Sequence, residues 1–195
     1  MIWRRSSLYQ GITYKSIVGE VTSVIHHMVY NNNIVFISIG GRKDMKRHEA
    51  LYPLSHHHHH ALVTAVELKK AGTEKTEKSL QEYRRSVIDF WNQDGRGHFR
   101  DEEEVLLPLY AQYGNVDQEP IRKMLIQHAQ IRGMVEQIRE QPRLTAEQFR
   151  ELGELLDDHV RLEERTIFPM IEEAVPKKLL YQANGRFHRD SVSGR

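Results

Sequence analysis

The chain has 195 residues, twelve histidines and no cysteine, and its 28 basic and 27 acidic side chains leave a net charge of only +1. Without thiols there are no disulfides, iron–sulfur clusters or cysteine nucleophiles, and a balanced charge gives no reason to expect nucleic acid or an anionic membrane as a partner. No apolar run approaches the roughly 20 residues of a spanning helix, and a cysteine-free chain suits the cytoplasm. In chain order, the first 44 residues stand apart. Their only acids are Glu20 and Asp44, and segments 12–18 and 34–39 read as weak strands, the second set between Asn31-Asn32-Asn33 and Gly40-Gly41. Residues 1–44 are expected to be an irregular, disordered or loosely packed extension, or the product of a start codon upstream of Met45. Peptides from this segment in the natural protein would sink the start-codon idea.

From residue 45 helix formers dominate, and four helical stretches follow, with a domain expected over 45–182. Helix A is expected from about Ser55, as N-cap, to Ala71, with Gly72 as its stop and an apolar stripe Leu51, Leu54, His58, Ala61, Ala65, Leu68. Helix B runs from 74–78 to about Gly114, with the stripe Tyr83, Val87, Trp91, His98, Glu102, Val105, Leu109 holding its phase across Gly95 and Gly97. Helix C spans about Asp117 to Glu140, with Ile121, Leu125, His128, Ile131, Val135 and Ile138 facing inward. Helix D opens on a capping box, Thr145 and Gln148, and carries Phe149, Leu152, Leu156, His159, Glu163 and Ile167 on one face. A short helix is expected over 177–182, then a flexible tail over 183–195. Short connections imply antiparallel neighbours, so the fold class is all-α, an up-and-down four-helix bundle.

One element occurs twice. His98 to Pro108 reads HFRDEEEVLLP and His159 to Pro169 reads HVRLEERTIFP, both fitting H-x-x-x-E-E with a proline six residues after the first glutamate. The i, i+4 spacing stacks imidazole on carboxylate one turn apart, on the apolar face of both helices. A buried carboxylate beside a buried imidazole is costly unless a cation compensates it. Each proline is expected to kink or end its helix. His128 is a lone histidine on the inner face of helix C. The run His56 to His60 exceeds one turn, so at least one member faces inward. The stripe selects His58, and a neighbouring stripe through Leu62 and Val66 selects His59. The run is read as part of the helix rather than as a tag, because it has five members and continues into Ala-Leu-Val. Four imidazoles and two carboxylates, both bridging, supply two metal ions and leave open positions. Such a thiolate-free set suits iron, manganese or zinc, and a carboxylate-bridged pair favours iron. Glu103 and Glu164 are candidate acceptors for ligand N–H groups. His26, His27, His48 and His188 are read as surface residues, and Phe99 as core.

The pattern resembles the hemerythrin-like (HHE cation-binding) family over about Leu51 to Pro176, through the LSxxHH start at Leu54 to His59, both HxxxEE…P elements and His128. The resemblance implies a non-haem di-iron centre, oxo- or hydroxo-bridged, with zinc or manganese as alternatives, held by His58, His98, Glu102, His128, His159 and Glu163. The chain departs from the oxygen-carrying hemerythrins, which place a histidine where this chain has Arg132 and an aspartate where it has Glu163. It is closer to the bacterial four-histidine, two-glutamate branch. That branch includes di-iron nitric-oxide repair proteins, whose N-terminal domain contains cysteine. The expected function is binding of a small diatomic ligand such as dioxygen or nitric oxide. The alternatives are a redox enzyme fed by an external reductase, reducing peroxide or nitric oxide or acting as an oxidase, and an iron-handling or sensor module working through a partner.

Overall fold

The computed structural model describes the backbone of residues 24–30 and 33–39 and, with side chains, residues 47–187. The chain divides into two compact units, residues 1–46 and 47–195. In the first, β1 (Val24–Tyr30) pairs antiparallel with β2 (Asn33–Ile39), in register from Val24 opposite Ile39 to Tyr30 opposite Asn33. Segment 34–39, read as a strand, lies within β2, while segment 12–18 lies outside the described residues.

The second unit is an all-α bundle. A single 3-10 turn (Glu49–Leu51) leads into α1 (Tyr52–Leu68), with proline in its first turn. Ser55, expected as the N-cap, lies one turn inside α1, because the 3-10 turn and Pro53 start the helix earlier. Gly72, at φ 71°, occupies the left-handed region just beyond α1, as its role as a stop requires. The second long helix is composite: α2 (Leu80–Phe90), a π turn (Trp91–Gly95), α3 (Arg96–Asp101), a π turn (Glu102–Leu106) and α4 (Leu107–Tyr110). It starts later than expected, at a Ser79–Glu82 capping box. Then come α5 (Glu119–Glu140) and a last long helix made of α6 (Ala146–Leu162), a π turn (Glu163–Ile167) and α7 (Phe168–Ala174). The Thr145–Gln148 capping box opens α6 as expected. The short α8 (Lys177–Asn184) follows. Ala183 and Phe187, assigned to the tail from sequence, are buried against the core that includes Ala50 and Leu51. Residues 188–195 lie outside the described residues.

The proline breaks turn out differently from expectation. Each is taken up by a π turn immediately before it: Leu107 N–H donates to the Glu102 carbonyl, and Phe168 N–H to that of Glu163. The widened turn lets Pro108 and Pro169 enter as first-turn residues of the next helical segment, where no intrahelical donor is needed. The third π turn sits at the glycine that threatened helix B. A Cβ on Gly95 would lie 2.7 Å from Trp91 Cε3, so only glycine lets the indole pack there. Gly95→Ala is therefore expected to destabilise the bundle by about 1–3 kcal/mol, read as a lower urea midpoint at unchanged slope.

Two apolar clusters fill the bundle. One contains Leu54, Leu106, Met124 and Phe168, the other Ala65, Phe99, Ile131 and Leu156. On α5 the inward stripe uses Met124 where Leu125 was expected. Leu125 is 41% exposed, and both residues fit the spacing. Along the long helices, the buried polar residues fall between the two clusters: His58 after Leu54, Glu102 after Phe99, His128 after Met124, Glu163 before Ile167.

Candidate metal centre

Four helices deliver six buried polar side chains to that level. His58 comes from α1, His98 and Glu102 from α3 and the π turn after it, His128 from α5, and His159 and Glu163 from α6 and its π turn. None of these six residues is more than 4% exposed as a whole. They form two groups that share both carboxylates: His58, His98, Glu102 and Glu163, then Glu102, His128, His159 and Glu163. The sharing is atom by atom. Glu163 turns Oε2 to His58 Nε2 (2.9 Å) and Oε1 to His128 Nε2 (3.4 Å) and His159 Nε2 (3.2 Å). Glu102 turns Oε1 to His98 Nε2 (3.3 Å) and Oε2 to His128 Nε2 (3.4 Å). His58 Nε2 and His98 Nε2 approach to 2.9 Å. His58 is the member of the histidine run that lies in the cluster, whereas His59 joins neither group and is only half-buried.

The donor set fits metal ions. Both oxygens of Glu102, both of Glu163, and Nε2 of His128 and His159 are buried with no hydrogen-bond partner. Leaving such atoms unsatisfied costs several kcal/mol, on the order of 1–3 kcal/mol each. Around a cation with bonds of about 2.1 Å, neighbouring donors of an octahedral shell stand about 3.0 Å apart and opposite ones about 4.2 Å. The contacts of the imidazole Nε2 atoms with the two carboxylates and between His58 and His98 run from 2.9 Å to 4.0 Å, close to those spacings, and all donor atoms of each group lie within 4.8 Å of one another.

The second glutamate of each H-x-x-x-E-E element holds a histidine from another helix. His128 Nδ1 lies 2.7 Å from Glu103 Oε1 and His58 Nδ1 lies 2.6 Å from Glu164 Oε1. Each carboxylate is in turn clamped by arginine. Arg132 donates to Glu103 at 2.9 Å and its guanidinium lies over the Phe99 ring, which stacks on His128. Arg47 donates to Glu164 at 2.7 Å and lies over the Phe168 ring, which stacks on His58. Ser55 also donates to Glu164, at 2.7 Å. Both imidazoles are thus held in ring plane, with Nδ1 against a carboxylate and Nε2 toward the cluster. The sequence reading placed Glu103 and Glu164 here. It missed Arg47, read Phe99 as core alone, and treated His48 as surface. His48 is half-buried: its Nδ1 accepts from Ala50 N–H and its own N–H donates to Glu172. The side chains of His26, His27 and His188 lie outside the described residues.

Charge follows geometry. Burial pushes the His58 pKa down, but Glu163 and Glu164 outweigh it and hold it up at about 10. Burial also opposes charge on His128, and Glu102, Glu103 and Glu163 together raise it to about 11. Burial lowers His98, and lowers His159 to about 4. Against the effect of burial, His128 and Arg132 bring Glu103 to about 2, and His58, Arg47 and Ser55 bring Glu164 to about 2. Glu103→Gln is expected to weaken metal binding about 10–100-fold by loosening His128, measured by competition with a chelator.

A small pocket opens beside the first group, lined by Ala61, Phe90, Trp91, Phe99, Leu156 and Val160 together with His57, His58, Asp94, Gly95, His98 and His159. A helical bundle with a buried cluster of four imidazoles and two carboxylates defines the class of cation-binding helical domains. Residues 50–171, more than half of the chain, match the hemerythrin HHE cation binding domain, and the chain belongs to that family. No curated protein and no solved structure matches it significantly.

Proposed function

We propose that the chain is a non-haem di-iron protein that binds a small diatomic ligand, dioxygen or nitric oxide, at a carboxylate-bridged centre. His58 and His98 would hold one ion and His128 and His159 the other, with Glu102 and Glu163 shared between them. The observation that carries this reading is that each glutamate presents one oxygen to each histidine pair. An iron pair would supply reversible electron donation to a bound diatomic molecule. The chain supplies the rest. Phe90, Trp91, Leu156 and Val160 give the small pocket beside His58, His98 and His159 an apolar wall, which favours a compact neutral ligand. Glu103 and Glu164 draw on the Nδ1 protons of His128 and His58 and keep Nε2 of each aimed at the centre.

In this reading the ligand is the only small-molecule partner required, in a cytoplasmic setting. None of the described helices is long and apolar enough to cross a membrane. Anaerobic loading with ferrous iron, metal analysis, and then optical spectra with dioxygen, nitric oxide and peroxide form the test. Two irons per chain and a reversible spectral change with dioxygen or nitric oxide are expected. Fewer than one metal per chain defeats the di-metal reading, and sustained consumption of ligand with an external reductant makes the protein an enzyme instead.

A further inference from the structure

The proposed centre uses one of the five histidines of the run 56–60, and two of the others, His57 and His60, lie within 4.0 Å of an aspartate beside the pocket. Asp94, on the π turn Trp91–Gly95, places Oδ2 3.0 Å from His60 Nδ1 and Oδ1 4.0 Å from His57 Nε2. The His56 ring stands edge-on to His60 at 4.9 Å. His57 in turn packs edge-on against His98, with ring centroids 5.6 Å apart. His57, Asp94, His58 and His98 all line the same pocket. Side-chain exposure falls steadily along the series: His60 46%, Asp94 21%, His57 18%, His98 6%.

We propose that His60, Asp94 and His57 form an entry path that captures a divalent cation at the surface and passes it to His98 and His58. The path rests on the di-metal reading and adds to it the route of loading. A hydrated cation cannot shed its whole water shell at once on the way to a buried cluster, because an uncompensated charge inside the protein is too costly. Side chains at graded depth let it exchange waters for imidazole and carboxylate donors a few at a time. The donor types match those of the centre, so each step offers similar bonds. His57 and His60 stand three residues apart on α1, on one face, with Asp94 reaching across to both. The carboxylate adds attraction for cations at the mouth.

Anaerobic stopped-flow mixing of the metal-free full-length chain with low-micromolar cobalt(II), followed through its visible absorption, tests the path. Metal analysis gives the end point. Asp94→Asn and His60→Gln are expected to slow uptake about tenfold while reaching the same final content as wild type. His59→Gln, in the same run but off the path, is expected to load at the wild-type rate. Wild-type rates in both path variants, with full loading, overturn the path and leave the di-metal centre standing. Equal slowing in the His59 variant also overturns it, because any histidine of the run would then serve. A wild-type chain that takes up no metal overturns the centre and the path together.

Discussion

Replacing Glu163 with alanine is expected to empty both metal positions, whereas replacing His159 with alanine empties one. The asymmetry follows from which atoms face which group. His159 offers Nε2 to a single group, while Glu163 sends Oε2 toward His58 and Oε1 toward His128 and His159. Glu163 is fully buried and both its oxygens lack hydrogen-bond partners, so it is one of the two carboxylates that join the halves of the cluster and its oxygens are free to serve both. Its loss removes a donor and half of the bridging charge from both positions. Removing His159 leaves His58, His98 and both carboxylates in place for the other ion. Metal content after anaerobic loading and dialysis should read below 0.5 per chain for Glu163→Ala and near one for His159→Ala, on the order of a 100-fold affinity loss at each affected position. Two metals retained by Glu163→Ala would sink the bridging assignment. Circular dichroism of the metal-free variants separates loss of ligand from loss of fold.

The parts of this centre that were legible from sequence are those that repeat at helical spacing. His98 with Glu102 and His159 with Glu163 are i, i+4 pairs on apolar faces, and a burial pattern that pairs charge with imidazole twice is hard to mistake. His128 was legible only through that company. The choice between His58 and His59 was not. Adjacent residues on a helix point about 100° apart, two apolar stripes competed, and only packing against Phe168 and His98 decides between them. Leu125 and Met124 posed the same ambiguity on α5. The π turns were invisible because a proline in a helical pattern reads as a breaker, and whether a widened turn absorbs it depends on the partners of the preceding carbonyls. Arg47 lies 117 positions from Glu164, and no local pattern joins them. One signal did exist: two glutamates adjacent to buried ligands call for cations, and an arginine at the edge of the bundle is a candidate for that role.

The metal-free protein is expected to be most stable near pH 6.5 and to lose stability on both sides, and metal loading should flatten the profile. His58 and His128 carry raised pKa values, about 10 and about 11. Their stabilisation is complete below the unfolded-state value of about 6.5, and it is lost as pH rises from there through 10 and 11, because the folded chain must hold protons that the unfolded chain has released. Each such proton contributes a slope of about 1.4 kcal/mol per pH unit, so two of them consume a typical domain stability within a few units. On the acid side the sign reverses. His98 and His159 are lowered, the second to about 4, so they stay neutral in the fold while the unfolded chain takes up protons as pH falls below 6.5. Glu103 and Glu164, held at about 2, add a further loss as pH falls from the ordinary carboxylate range toward 2. Bound cations take over the role of the His58 and His128 protons. Loading both positions at pH 8 should therefore release about two protons per chain, measurable by a pH indicator in weak buffer. Once loaded, the protein should unfold at a nearly constant denaturant midpoint from pH 7 to 9, while the metal-free midpoint falls steeply. A metal-free chain whose midpoint rises between pH 7 and 9 would show that the two imidazoles are not the charged partners of Glu102, Glu103, Glu163 and Glu164.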